Sequence, residues 1–203
     1  MAETASDQAL LTAAGRGDTA AVSAALAAGA AIDARDRQQQ TALLLAVQRG
    51  DADLALSLIR QGADINAEAA NHDTPWLLAG ALGRTGMLAA MLETGKVDYT
   101  KRNRYGGNAL IPACERGHVE TVRLLLDRAK IDVNHVNNLG WTALLEAVIL
   151  SDGGPRHIEI VKLLLGAGAD PNIADRDGVT PLRHARDRRY DAIAALIKTA
   201  GGK

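Results

Sequence analysis

Phenylalanine is absent from this chain of 203 residues, and its only aromatics besides His are two Trp and three Tyr. Any core must therefore be built from Ala, Leu, Val and Ile. Such small side chains let helices approach closely, which suits stacked helical pairs better than a sheet sandwich. Cys114 is the single cysteine, which excludes an intrachain disulfide and leaves the redox compartment unreadable. No apolar run approaches the length of a membrane span. The start, Met1 to Asp7, has no basic n-region and no apolar h-region. As given, the chain reads as cytoplasmic, with the periplasm open if a signal peptide has been removed. Neither charge sign dominates: the net charge is −1, far from the basic balance of a nucleic-acid binder. The split is uneven, −5 over residues 1–100 and +4 beyond, with much of the surplus in Arg183, Arg186, Arg188 and Arg189. That cluster is either a solvated end face or a patch that steers an acidic partner.

What the chain does have is one sentence repeated six times. Ala9-Leu10-Leu11 to Asp18 returns as Ala42-Leu43-Leu44 to Asp51, and the frame recurs from Pro75, Ala109, Ala143 and Pro181. The residues just before these blocks are Gln8, Thr41, Thr74, Asn108, Thr142 and Thr180, spaced by 33, 33, 34, 34 and 38 residues. A near-constant period of this size means stacked supersecondary units, none of which buries its apolar face without a neighbour.

Within one unit the local signals are consistent. Asp175-Arg176-Asp177-Gly178 has turn chemistry, with Asp able to bond its own backbone and Gly free to adopt positive φ. Thr180-Pro181 starts a helix, Thr as N-cap and Pro at the first helical position. Gly50, Gly83 and Gly117 end the first helices. A second helix follows, as from His118 to Leu126, with Val122, Leu125 and Leu126 on one stripe. It closes into Gly62-Ala63-Asp64-Ile65-Asn66 or Gly168-Ala169-Asp170-Pro171-Asn172.

The period, the Thr-Pro-Leu starts and the Gly-Ala-Asp-x-Asn closures resemble ankyrin repeats, and irregular segments such as Asn103 to His118 are similar to those of bacterial members. The resemblance covers about residues 6–200. It implies an all-α fold: a curved solenoid of stacked helix–turn–helix pairs, with β-turn fingers at about a right angle to them. Six repeats are expected, at about 6–35, 36–68, 69–102, 103–136, 137–174 and 175–200, in one domain with short tails, 1–5 and a frayed 201–203. The terminal repeats act as caps.

Departures from the family pattern carry their own expectations. Pro112 lies four residues after the Asn108 cap, early enough in its helix to be tolerated. Repeat five has five extra residues around Leu150 to His157, between its helices, where an insertion leaves a stack undisturbed. Repeat six has Arg189 where Gly is expected. Glu146 stands in the place of Leu45 and Leu78, where a charge is costly unless paired. Arg104, Arg116 and an imidazole of the insertion are its expected partners.

No reactive constellation stands out. The serines lack a Gly-x-Ser-x-Gly context. Cys114 reads as a small buried residue, and the five His have no metal-ligand spacing. No cofactor and no metal are expected, and the chain reads as a non-catalytic, monomeric module. The resemblance implies that partners are held by the fingertips and the exposed side of the first helices, which line a concave groove. Carried over by position, the candidate contact residues over repeats three to five are Asp73, Leu82, Arg104, Tyr105, Glu115, Arg116, Leu139, Trp141 and Glu146. Tyr105 and Trp141 fall on adjacent fingers, and Trp, Tyr and Arg dominate interface energetics. Trp141 could equally shield the loop beneath it. The expected function is capture of a protein or peptide, with no nucleic acid and no membrane insertion. Two alternatives are an accessory subunit of a neighbouring enzyme, and a small-molecule binder or enzyme using Glu115 and Glu146.

Overall fold

Short helices follow one another in six pairs in the computed structural model, which describes residues 4–203; no strand forms among them. They divide into two compact units, the first ending at Arg104 and the second running Tyr105–Lys203. In the first, α1 (Ala5–Arg16) pairs with α2 (Thr19–Ala27), α3 (Ala42–Arg49) with α4 (Ala52–Arg60), and α5 (Pro75–Ala81) with α6 (Thr85–Glu93). Helices α1, α3 and α5 pack in sequence as one layer, and α4 packs on α6 in a second. The second unit repeats this with α7 (Leu110–Glu115) and α8 (Val119–Arg128), α9 (Ala143–Ile149) and α10 (Pro155–Gly166), and α11 (Pro181–Asp187) and α12 (Asp191–Thr199). Its layers are α7, α9 and α11 against α8, α10 and α12.

The helices start where local chemistry says they should. The hydroxyls of Thr41, Thr74, Thr142 and Thr180 each accept the N–H three residues on, at 3.1–3.3 Å, satisfying donors that a helix leaves open. Asn108 accepts from both Leu110 and Ile111. Pro112 is the third residue of α7, where its missing N–H has no intrahelical acceptor to lose. The first helix begins earlier than its anchor Gln8: the Thr4 hydroxyl accepts from the Asp7 N–H, and the Asp7 carboxylate accepts from the Thr4 N–H.

Two sets of long-range bonds tie neighbouring repeats together inside each unit. In three closing loops an Asn bonds the next segment twice. Asn66 donates to Lys96 O and accepts from Asp98 N–H; Asn134 does the same with Gly168 and Asp170. Asn172 treats Gly201 and Lys203 alike, and Thr180 donates to Lys203 O. The last three residues are therefore held down rather than frayed.

The second set caps helix C-termini. Arg49 donates to Gly15 O, and Arg188 to Ile149 O. In the insertion of repeat five the Tyr190 hydroxyl donates to Ser151 O at 2.7 Å, and its ring lies over Gly153, which has φ +68° and would bring an added Cβ to 2.5 Å of the ring. Repeat six thus covers the insertion. Gly153→Ala combines left-handed strain with displacement of that ring and is expected to cost about 1–2 kcal/mol, read as a lower urea midpoint. An unchanged midpoint would show that the cover is not needed. Arg189, in place of the usual Gly, adopts φ 59°.

Candidate functional site

In the second unit the finger of repeat five is organised by one side chain, Asn137. Its backbone N–H donates to Trp141 O and its Oδ1 accepts from the N–H groups of Leu139 and Trp141, at 2.9 and 3.0 Å. Asp36 and Asp175 do the same in their hairpins, because an Asx side-chain oxygen reaches the backbone of its own turn and mimics a backbone acceptor. The neighbouring turn is stitched on: Asn138 N–H donates to Tyr105 O at 2.8 Å, and His135 Nε2 lies 2.6 Å from Gly106 O. On the other side the Arg176 guanidinium donates to Asn138 O. These bonds set the turns bearing Tyr105 and Leu139 next to each other. Tyr105 is 49% exposed and Leu139 45%. Trp141 is half-buried, and Arg116 is exposed.

The bond that Glu146 makes is to a group not among those expected. It is 5% exposed, and the Asn137 Nδ2 donates to its Oε1 at 2.8 Å. The insertion's imidazole, His157, turns elsewhere: Nε2 meets Glu115 O at 3.1 Å and Nδ1 meets Asp152 Oδ1 at 3.2 Å. The reason is one of reach. Asn137 has its oxygen committed to the hairpin, so its amide NH2 must point at the helix behind, where Glu146 stands. Burial pushes the Glu146 carboxyl from 4.5 up to about 7, and the Glu115 charge adds to this, while the Asn137 bond opposes it. Cys114, with no exposed surface, has its thiol pushed well up by burial and then by Glu146, the setting of a structural cysteine.

Repeat six makes the same connection with reversed polarity: His184 Nε2 lies 2.7 Å from Asp175 Oδ2. Burial pushes Asp175 up, but the Val179 N–H, His184 and the Asp177 N–H hold it below its ordinary value. Both pairs are nine residues apart, finger residue to first-helix residue. That shared spacing of Asn137 with Glu146 and Asp175 with His184 is the sequence signal that identifies the pairing.

The remaining expected contact residues lie in the first unit. Asp73 is half-buried in the finger of repeat three, where Asn71 Nδ2 donates to its Oδ2 at 2.8 Å. Leu82 is half-buried at the end of α5, and Arg104 is exposed. Among the described residues, no group of three or more His, Cys, Asp or Glu is placed to hold a metal ion, and no helix is long and apolar enough to cross a membrane.

The paired helices, the Asx-turn fingers and the loop ladder define a protein of stacked helical repeats. The family model for ankyrin repeats, in three copies, matches residues 2–69 and 77–175, and the chain belongs to the ankyrin-repeat family; its fold is that of an ankyrin solenoid. It is similar to an ankyrin repeat domain from Acinetobacter baumannii AYE, with 50% identity and a TM-score of 0.90 over 96% of this chain and 98% of that one. The ankyrin repeat protein EF0377 is similar at 43% identity and a TM-score of 0.92, with the same coverages. The ankyrin repeat protein YahD of Escherichia coli (strain K12) is 46% identical over 114 residues, 56% of this chain and 57% of its own length. The chain thus spans little more than half of that relative. Repeats of this family generally mediate protein–protein interaction and are generally non-enzymatic.

Proposed function

We propose that the second unit captures a partner protein or peptide through the joined turns of repeats four and five. The observation that carries this is the pair of large apolar side chains, Tyr105 and Leu139, held about half out in water on two turns locked together by the bonds of Asn138 and His135 to the Tyr105 and Gly106 carbonyls. Rigid aromatic and aliphatic groups on a pre-organised support lose little freedom when buried, so they are efficient anchors. Arg116, exposed at the end of α7, and the half-buried Trp141 and Glu115 are the further proposed contact positions of this unit. Glu146, being buried, acts on this surface through Asn137 rather than by contact. Asp73, Leu82 and Arg104 are proposed contact positions on the surface of the first unit.

A catalytic reading would draw on the raised pKa of Glu146, since general acids are tuned this way. Here burial and one neighbouring carboxylate account for the value, which supports the non-catalytic reading. The chain can still be the accessory subunit of an enzyme, which is one kind of partner.

Photoreactive groups at positions 105 and 139, introduced in the source cell, are expected to join one and the same protein, whereas a group at Thr199 is not. The double variant Tyr105→Ala, Leu139→Ala should keep the wild-type helicity and urea midpoint while weakening capture of that protein by about a hundredfold or more. Full capture by the double variant, or cross-links equally strong from Thr199, would rule the surface out.

A further inference from the structure

Asn137 joins a hairpin to an ionisable group inside the helix layer. Its Oδ1 holds the Leu139 and Trp141 N–H groups, and its Nδ2 holds Glu146 Oε1. Asn137 is 6% exposed and Glu146 5%, so neither can exchange its partner for water without moving. We propose that the repeat-five finger is a proton-responsive element of the binding surface, seated while the Glu146 carboxyl is neutral and released when it ionises.

The direction follows from the surroundings of that carboxyl. A buried charge is relieved either by a cation or by moving to water. From α7 it meets Glu115, a like charge, and the thiol of Cys114. The titratable group of α10 nearest this layer, His157, is engaged by Asp152 and Glu115 O; that of α11, His184, is engaged by Asp175. Loss of water and the Glu115 charge together outweigh the Asn137 bond. An ionised Glu146 therefore gains by turning outward, and doing so breaks its bond to Asn137 and frees the hairpin that Asn137 organises. The repeat-two finger is the built-in control: Asp36 holds the Gln38 and Gln40 N–H groups in the same way, with Leu45 in Glu146's place. This inference rests on reading the finger as part of the binding surface, but it concerns the free protein.

Amide exchange measured by NMR on the free protein tests it without any partner. Corrected for intrinsic exchange, protection of the Leu139 and Trp141 amides is expected to fall about tenfold relative to Gln38 and Gln40 between pH 6 and pH 8, the ratio set by a carboxyl that holds its proton to about 7 when seated and to 4.5 when released. The midpoint should coincide with that of the Glu146 side-chain carbon resonance. Glu146→Gln keeps the hydrogen-bond acceptor and should abolish the change, which separates Glu146 from His157 and His184. Wild-type amides that track Gln38 and Gln40, a midpoint unlike that of Glu146, or a change that survives in Glu146→Gln would each overturn the proposal. A flat titration leaves partner capture by Tyr105 and Leu139 intact, and failed capture leaves the titration intact, so the two readings fail separately.

Discussion

Replacing Trp76 by Ala is expected to cost about 3–5 kcal/mol of unfolding free energy, the usual loss for a large aromatic removed from a core. Trp141→Ala should cost no more than about 1–2 kcal/mol, because part of its surface is already in water. Trp76 is 2% exposed and takes the place held by Leu10, Leu43, Leu110, Leu144 and Leu182 in the other repeats, each of which is 0–2% exposed. The larger ring is accommodated because Tyr99, from the loop that closes the same repeat, meets it edge-on at 5.9 Å and 84°. Such a T-shaped pair adds about 0.5–1.5 kcal/mol beyond the area buried, so Tyr99→Leu should recover only part of the wild-type stability. Urea denaturation of the three variants measures all of this. If Trp141→Ala proved the more costly of the two tryptophan changes, Trp141 would be a structural residue and would drop out of the proposed binding surface, leaving Tyr105 and Leu139.

The contrast between the two tryptophans marks what could be read from the chain and what could not. Signals acting over three or four residues were readable. Thr41, Thr74, Thr142 and Thr180 cap their helices as their positions require, and Pro112 sits where a helix tolerates it. These depend on local backbone geometry alone, and the repeat supplies several independent copies of each. The partner of Glu146 was not readable in the same way. Charge complementarity pointed to Arg104, Arg116 or a histidine of the insertion, but the group that arrives is an uncharged amide already committed to its own turn. The lesson lies in the donor inventory: an Asn whose oxygen is spent on a hairpin has two N–H donors left over, and they seek whatever acceptor the next element presents. Tyr190 over Gly153 was hidden for a different reason. It joins residues 37 positions apart across two repeats, and only the stacking of repeat six on repeat five brings them together. Composition did identify the core as aliphatic, and the buried apolar residues are almost all Ala, Leu, Ile and Val. It could not say that one repeat would trade its Leu for Trp76.

Stability should also carry the signature of Glu146. The carboxyl holds its proton up to about pH 7 in the folded chain and to about 4.5 once unfolded. Between these values the native state binds more protons than the unfolded state, so unfolding free energy falls as pH rises through this window. Below about 4.5 the group is neutral in both states and costs nothing; above about 7 the penalty reaches at most about 3 kcal/mol for a shift of this size, and less by whatever release of the finger returns to the charge. Other carboxylates act in the opposite sense. Asp7, Asp98 and Asp152, held below their ordinary values by hydrogen bonds to Thr4, to Thr100 and to the Gly154 N–H, add stability that is lost only as pH drops towards and below their native values. The difference between wild type and Glu146→Gln removes these shared contributions. That difference is expected to be small at pH 4.5 and to grow in favour of the Gln variant until about pH 7.5, where it levels off. Glu146→Leu restores the residue type of repeats two and three but leaves the Asn137 amide without its acceptor, at a cost of about 1–3 kcal/mol. It should therefore fall below the Gln variant at every pH. A difference between wild type and Glu146→Gln that stays constant from pH 5 to pH 8 would mean that Glu146 reaches water in the folded protein. The finger would then be anchored by Asn137 alone, with no proton attached to its seating.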